Sequence, residues 1–157
     1  MRSGLKFMGI MKRILLMFSV LAVIAISCDR YDDGKPDRDI RKEFNVMYPE
    51  ARDVEWDREG PYWVVSFEID HVDYEAWYND EGNWIRTVKD VTLKSVPYAI
   101  LTYLEESVYG GSVPDDDVDY VMTPDGNFYR FELIYEGRKV LVDVTEGGMV
   151  SLAGYDY

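Results

Sequence analysis

Residues 62–78 read YWVVSFEIDHVDYEAWY, and this stretch decides the fold. Apolar side chains recur in it at every second position, first through 63–69 and again through 72–78. A two-residue period indicates a β-strand, and alternating strands belong to antiparallel sheets with one face on a helix and one toward water. The stretch therefore predicts two strands, with His71 as a surface residue at the turn between them.

Turn sequences indicate where the other strands begin. Residues 79–83, NDEGN, lead into a predicted strand at 84–88. In the second half of the chain, glycine-containing turns precede three more apolar stretches. These stretches predict strands at 128–135, 139–144 and 149–152.

Apolar residues at helical spacing predict a helix ahead of each set of strands. The first stripe consists of Ile40, Phe44, Met47 and Tyr48, and the second of Ile100, Leu101, Leu104 and Val108. We expect Asp37 to cap the first helix and Pro49 to end it. Pro97 suits the first turn of the second helix, and the glycines at 110–111 stop it.

The two halves repeat one another in sequence. Val54 and Trp56 align with Val118 and Tyr120 at a spacing of 64 residues. Repeats at a fixed period indicate repeated structural units. We therefore predict an α+β fold, a tandem repeat of a helix packed on an antiparallel four-stranded sheet, with units at 37–94 and 95–157.

The N-terminus predicts export and lipidation. Lys12 and Arg13 precede an apolar run through 14–26, which is too short to span a bilayer and is typical of a signal peptide. The run ends in AISC, which resembles the lipobox of bacterial lipoproteins, whose cysteine receives lipid. We expect a signal peptide at 1–27, a lipid-bearing Cys28 and a flexible tether at 28–36. An ordinary secretory signal is the alternative. Lipidation predicts an outer-membrane lipoprotein facing the periplasm or the cell surface, with inner-membrane retention through Asp29 as the alternative location.

Charge and residue counts exclude several functions. The 157 residues include 30 acidic and 17 basic side chains, for a net charge of −13, whereas nucleic-acid binding needs cations. One cysteine and one histidine exclude an internal disulfide and Cys- or His-rich metal sites. We interpret Asp115, Asp116, Asp117 and Asp119 as a solvated acidic loop rather than a calcium site. The sequence predicts no catalytic residue, metal or cofactor, and no enzyme.

The first repeat carries a more specific signature. It combines YPEA at 48–51 and VEW at 54–56 with EAWYNDEGNW at 75–84. Together these motifs resemble the PepSY-like, β-lactamase-inhibitor-like family of secreted bacterial proteins; the second repeat keeps the spacing but has Tyr120 in place of Trp56. The resemblance implies a tandem helix-plus-sheet fold like that of the β-lactamase inhibitor protein, whose sheet binds an enzyme. It does not imply that this chain inhibits a lactamase.

The sheet surface turned away from the helices is the candidate binding site. Strand alternation assigns to it Tyr62, Glu68, Glu75, Trp77, Trp84, Arg86, Phe128, Arg130 and Glu132. Trp, Tyr and Arg dominate interface energetics, so we expect binding to an envelope or extracellular protein, a basic one given the acidic charge. Membrane contact is expected through the lipid anchor only. Two alternatives stay open: a glycan stacked on Tyr62, Trp77 and Trp84, or simple burial of this face within the fold.

Overall fold

Two helices and eight strands follow one another along residues 35–155, the part of the chain that the computed structural model describes. The elements are α1 (Arg38–Met47), β1 (Arg52–Glu59), β2 (Tyr62–Ile69), β3 (Val72–Asn79), β4 (Trp84–Thr92), a 3-10 helix (Leu93–Ser95), α2 (Tyr98–Glu105), β5 (Pro114–Thr123), β6 (Gly126–Tyr135), β7 (Arg138–Thr145) and β8 (Val150–Tyr155). The predicted signal peptide, Cys28 and the tether up to residue 34 lie outside the described residues.

All eight strands form one antiparallel sheet in the order β1 to β8. The α+β class and the antiparallel pairing are confirmed, but the expectation of two separate four-stranded sheets was wrong. The reason is the length of β4, which continues past the predicted end at Val88 to Thr92. The longer β4 pairs with β5 from Thr87 opposite Met122 to Thr92 opposite Asp117. The two sets of strands therefore share one sheet.

Each helix covers its own half of the same sheet face, which we call the inner face. The first core cluster consists of Ile40, Phe44, Val65, Phe67, Ala76 and Tyr78. The second consists of Val96, Ile100, Leu104, Val118, Phe131, Leu133, Val140, Val142 and Val144. Burial of these apolar side chains is the main force that holds the helices on the sheet. Phe67 and Phe131 occupy matching positions in the two clusters and are 3% and 0% exposed.

The end of α1 just before Pro49 agrees with expectation, whereas the start of α1 and the end of α2 differ from it. Asp37 precedes α1 but makes no side-chain capping hydrogen bond. The second helix ends at Glu105, well before the glycines at 110–111. The Ser107 hydroxyl donates to the Leu104 carbonyl oxygen at 2.6 Å, and this bond satisfies a carbonyl that a longer helix would use. Val108 is therefore exposed rather than part of the core stripe.

The acidic segment before Val118 is a strand rather than a loop. Asp115, Asp116 and Asp117 lie in β5, and their side chains are exposed. A register shift between Pro114 and Val118 bends this part of the strand, and β-bulges of this kind interrupt regular pairing. The sequence-based interpretation as a loop was wrong because exposed carboxylates are uncommon in strands.

The turn between β2 and β3 agrees with expectation. Asp70 and His71 both adopt positive φ, 51° and 63°, as a two-residue hairpin turn requires. The His71 side chain is almost fully exposed, with Nδ1 3.3 Å from Glu68 Oε1.

Candidate binding site on the outer face of the sheet

The sheet face opposite the helices, which we call the outer face, brings three neighbouring strands together around Trp77. In the register, Trp77 of β3 lies opposite Val64 of β2 on one side and Arg86 of β4 on the other. The preceding residue in β3, Ala76, is fully buried in the first core cluster. Because successive side chains point to opposite faces of a strand, Trp77 lies on the outer face, as predicted.

Trp77 is nevertheless buried, at 9% exposure. The Arg86 guanidinium lies over the indole ring, with Cζ 4.2 Å from the ring centroid. A cation held this close to an indole face is attracted by about 1–2 kcal/mol when water is excluded. The burial alternative therefore holds for Trp77, and Arg86 is the group that the outer face presents at this point.

The Arg86 guanidinium is incompletely satisfied. Its Nε atom is buried and has no hydrogen-bond partner among the described residues. A buried donor without an acceptor costs about 1–3 kcal/mol. Arg86 is thus held in place by the ring below it rather than by a carboxylate beside it.

Arg130, on β6, has the opposite environment. Its Nε and Nη2 donate to the two carboxylate oxygens of Asp143, at 2.7 and 2.9 Å. This bond raises the pKa of Arg130, and the charge of Asp143 reinforces the shift. The guanidinium also lies 5.4 Å from the Phe128 ring centroid. Arg130 and Asp143 therefore neutralise each other and fix one part of the outer face.

Carboxylates outnumber cations on the outer face. Strand register assigns to it the acids Glu55, Asp57, Glu59, Glu68, Asp73, Glu75, Asp90, Asp117, Asp119, Glu132 and Asp143, against the cations Arg52, Arg86, Arg130 and Lys139. Two of these cations are committed to ion pairs, Arg130 to Asp143 and Lys139 to Glu132. The remaining charge on this face is negative.

Glu75 lies beside the Trp77 and Arg86 pair, where it is affected by the charges of other carboxylates. Its side chain is exposed, yet its pKa is raised, first by loss of hydration at the packed sheet surface and then by the charges of Glu59 and Asp90. Arg86 opposes this rise. A cation brought to this point would relieve the repulsion between these carboxylates.

Trp84 lies on the wrong face for the predicted site. A register shift in the pairing of β3 with β4 makes Trp77 face Arg86 but Tyr78 face Trp84. The extra residue, Ile85, breaks the alternation that had assigned Trp84 and Arg86 to one side. Trp84 therefore packs against the first core cluster, and its Nε1 donates to Thr87 Oγ1 at 2.9 Å.

The other predicted residues share the outer face but differ in accessibility. Glu75 and Tyr62 are exposed, the latter at 39%, while Glu68, Phe128 and Arg130 are half-buried. Glu132 is 8% exposed and forms an ion pair with Lys139. The accessible groups nearest Trp77 are therefore Glu75, Arg86 and Tyr62.

Two apolar residues of this face, Val64 and Val121, were not among the predicted site residues. They are 4% and 2% exposed although no helix covers them. The uninterrupted apolar run YWVV at 62–65 is the signal that both faces of β2 are packed. A second omission is the inner-face pair of Tyr48 and Thr87, whose hydroxyl oxygens lie 2.6 Å apart. Burial raises the pKa of Tyr48.

Metal ligands and catalytic bases are the groups from which a reactive centre is built. Within residues 35–155, no set of three or more His, Cys, Asp or Glu side chains is arranged to hold a metal ion. The exposed His71 contacts a carboxylate, Glu68, whereas nucleophilic catalysis needs a base beside a hydroxyl or thiol. The helices of this same region include none that is long and apolar enough to cross a bilayer.

Comparison with known proteins identifies a family and a shared fold. The family model described as "Putative beta-lactamase-inhibitor-like, PepSY-like" matches residues 61–148. The match therefore spans more than half of the 157 residues. It also includes most of the outer-face residues considered above. No match was found among curated proteins.

Several solved structures have a similar fold. A BLIP-like protein from Bacteroides fragilis is 26% identical with a TM-score of 0.67, over 78% of this chain and 90% of that one. A DUF2874 family protein from Bacteroides uniformis is 23% identical with a TM-score of 0.65, over 78% and 94%. A Bacteroides eggerthii structure described as "putative periplasmic proteins" is 21% identical with a TM-score of 0.64, over 77% and 90%.

Proposed function

Since this chain belongs to the PepSY-like, β-lactamase-inhibitor-like family, we propose that it is a non-enzymatic protein of the cell envelope that binds another protein through the outer face of its sheet. The observation that carries the proposal is the Trp77 and Arg86 pair. It lies among carboxylates on the face that neither helix covers. Fold likeness alone does not establish function, whereas the residues of this surface are suited to binding a protein.

The residue types around Trp77 suit a protein partner. Interface hot spots are enriched in Trp, Tyr and Arg, and they lie in packed, desolvated surroundings. Arg86 is already immobilised on Trp77, so binding costs little of its side-chain entropy. Its terminal nitrogens can donate hydrogen bonds to a carbonyl or carboxylate oxygen of the partner. Tyr62, exposed on the same face, adds an amphipathic aromatic contact.

The charge of the outer face favours a basic partner. Glu75 is exposed and lies near the charges of Glu59 and Asp90. A lysine or arginine of the partner at Glu75 would lower this repulsion and would speed encounter at low salt.

The envelope location rests on the N-terminal sequence. Cys28 at the end of the signal-like run is the proposed lipid acceptor, and residues 28–36 are the proposed tether. The periplasmic description of the Bacteroides eggerthii structure supports export of this protein too. We therefore propose an outer-membrane lipoprotein that faces the periplasm or the cell surface.

We also propose that 37–94 and 95–157 arose as two copies of one unit. The order of elements supports this, because a helix followed by four strands occurs twice.

Two of the three aromatic residues in the glycan-binding alternative do not present an open ring on the outer face. Trp84 packs on the inner face, and the Trp77 ring is covered by Arg86. Stacking on a sugar needs an open ring face, and of the three residues Tyr62 alone is exposed. We therefore retain protein binding as the proposed function.

Capture from envelope extract tests the proposal. Glu75→Lys reverses one charge beside Arg86, and Glu106→Lys makes the same change in net charge at an exposed residue just beyond α2. We expect wild type and the Glu106 variant to retain the same basic protein, and the Glu75 variant to lose it. Equal capture by both variants would show that the partner contacts another surface.

A further inference from the structure

We propose that the exposed side of α1 rests on an anionic phospholipid surface, so that the outer face of the sheet points away from the membrane. This inference rests on the proposed lipid anchor at Cys28. It goes beyond the anchor alone, because it gives the folded domain its own contact with the membrane and one orientation on it.

The first helix concentrates basic residues on a single side. Arg38, Arg41, Lys42, Asn45 and Val46 follow the spacing i, i+3, i+4, i+7 and i+8, which places them on one helix face. All five are exposed, and Val46 is 75% exposed. Basic side chains interspersed with an exposed apolar residue are the composition by which helices lie on anionic bilayers.

This basic side is unusual in a chain with a net charge of −13. Lys35, just before the helix, is also basic and exposed. Within residues 35–155, none of the ion pairs of the structure involves Lys35, Arg38, Arg41 or Lys42. The cations are therefore available to a surface outside the protein.

The tether keeps this helix close to the membrane. Seven residue steps separate Cys28 from Lys35, and a fully extended chain covers at most about 3.3–3.6 Å per residue. Whatever its conformation, the segment holds Lys35, three residues before α1, within roughly 25 Å of the lipid-bearing cysteine. At that distance a cationic surface is confined near lipid headgroups, which raises its effective concentration there.

Acidic residues near the basic side determine how the domain would lie. Asp39 and Glu43 are on the flank of α1, and Glu105 and Glu106 are exposed at the end of α2. An anionic membrane repels all four. The contact is therefore with α1 rather than with both helices, and the α2 side tilts away.

The orientation follows from how α1 is packed. Ile40 and Phe44, on its opposite side, contact the inner face of the sheet. A membrane against the basic side is therefore separated from Trp77 by the helix and the sheet. The outer face is left open to a partner that approaches from the periplasm or from outside the cell.

A single fluorescent probe tests the contact. Cys28 is the only cysteine and is consumed by the anchor, so Asn45→Cys gives the lipidated full-length protein one free thiol on the basic side. Ser66→Cys is the matched control, exposed on the outer face. Each labelled protein is reconstituted in vesicles with a nitroxide on the headgroups, either of phosphatidylcholine alone or with added phosphatidylglycerol.

We expect strong quenching at residue 45 with phosphatidylglycerol, and weak quenching at residue 66. High salt and the combined change Arg38→Gln, Arg41→Gln and Lys42→Gln should remove the difference, because both weaken binding of cations to the surface. The matched combination Arg52→Gln, Lys94→Gln and Arg138→Gln should keep it. Equal quenching at both positions, or quenching at residue 45 that ignores phosphatidylglycerol, would overturn the proposal.

Flotation separates this proposal from the lipid anchor. A protein that fails to float with phosphatidylcholine vesicles has no anchor, and the proposed location is then wrong. The basic side can still be tested in that case, by binding to anionic vesicles. Each cation near the surface contributes roughly fivefold to partitioning into such vesicles. Loss of the three cations should then lower binding to phosphatidylglycerol vesicles by roughly a hundredfold. No binding of wild type to these vesicles would overturn the proposal.

Discussion

The guanidinium of Arg86 covers the ring of Trp77 at 4.2 Å, on the sheet face that the helices leave free. This pair gives the outer face a fixed cation in the middle of a surface rich in carboxylates. It also means that Trp77 contributes to the stability of the domain, since its ring is buried between strands that belong to one sheet.

Trp77→Ala should therefore destabilise the domain. Truncation of a buried aromatic side chain typically costs about 3–5 kcal/mol. Urea unfolding followed by circular dichroism measures the change, with Tyr98→Ala, at an 84% exposed residue of α2, as the control. An unchanged urea midpoint for the Trp77 variant would mean that the ring is accessible and that Arg86 does not cover it.

Phe67→Ala and Phe131→Ala should have similar costs in the two halves of the protein. Each ring lies in the centre of one core cluster, and each loss should be about 3–5 kcal/mol. Because all eight strands form one sheet, we expect a single unfolding transition in both variants. Two separate transitions would show that the halves unfold independently.

Thr87→Val should destabilise the inner face although the two side chains have the same shape. Thr87 Oγ1 accepts from Trp84 Nε1 and is bonded to the Tyr48 hydroxyl. The substitution leaves two half-buried polar groups, the Tyr48 hydroxyl and Trp84 Nε1, without this partner, which should cost about 1–3 kcal/mol. Thr92→Val, at an exposed position of the same strand, is the control for unfolding measurements. Equal stability of the two variants would exclude a role for this hydroxyl.

Glu75 should make stability fall as pH rises. Its pKa is raised above 4.5 in the folded protein, so between 4.5 and the raised value the folded state holds more protons than the unfolded state. Stability then decreases with increasing pH across this window, and it is unaffected by Glu75 at pH below the window. Comparison of wild type with Glu75→Gln cancels most other carboxylates. We expect the variant to gain in melting temperature relative to wild type from about pH 4 to about pH 7. A constant difference would contradict the raised pKa.

Residue patterns predicted the local elements well and the long-range arrangement less well. The alternation through 62–78 predicted β2 and β3, because one face of each strand is buried on α1 and the spacing of apolar residues follows that burial. The joining of β4 to β5 could not be predicted in this way. It depends on pairing between segments separated by α2, one of which carries the exposed carboxylates of Asp115, Asp116 and Asp117.

The candidate site was predicted only in part, because alternation gives the face of a residue but not its contacts with other strands. Trp77 and Arg86 were assigned to the outer face by alternation, and the register confirms both. Trp84 was assigned to the wrong face because the extra residue Ile85 in β4 reverses the face of the residue before it. The burial of Trp77 under Arg86 is a contact between side chains of different strands. Periodicity within one strand carries no information on such a contact.

Site-specific photo-crosslinking in cells tests the central claim most directly. A photoreactive amino acid replaces either Tyr62, exposed on the outer face, or Tyr98, exposed on α2 on the opposite side of the sheet. If the outer face binds a basic envelope protein, position 62 gives a covalent adduct with one protein, and position 98 gives none with that protein. An adduct with the partner from position 98 and none from position 62 would contradict binding through the outer face.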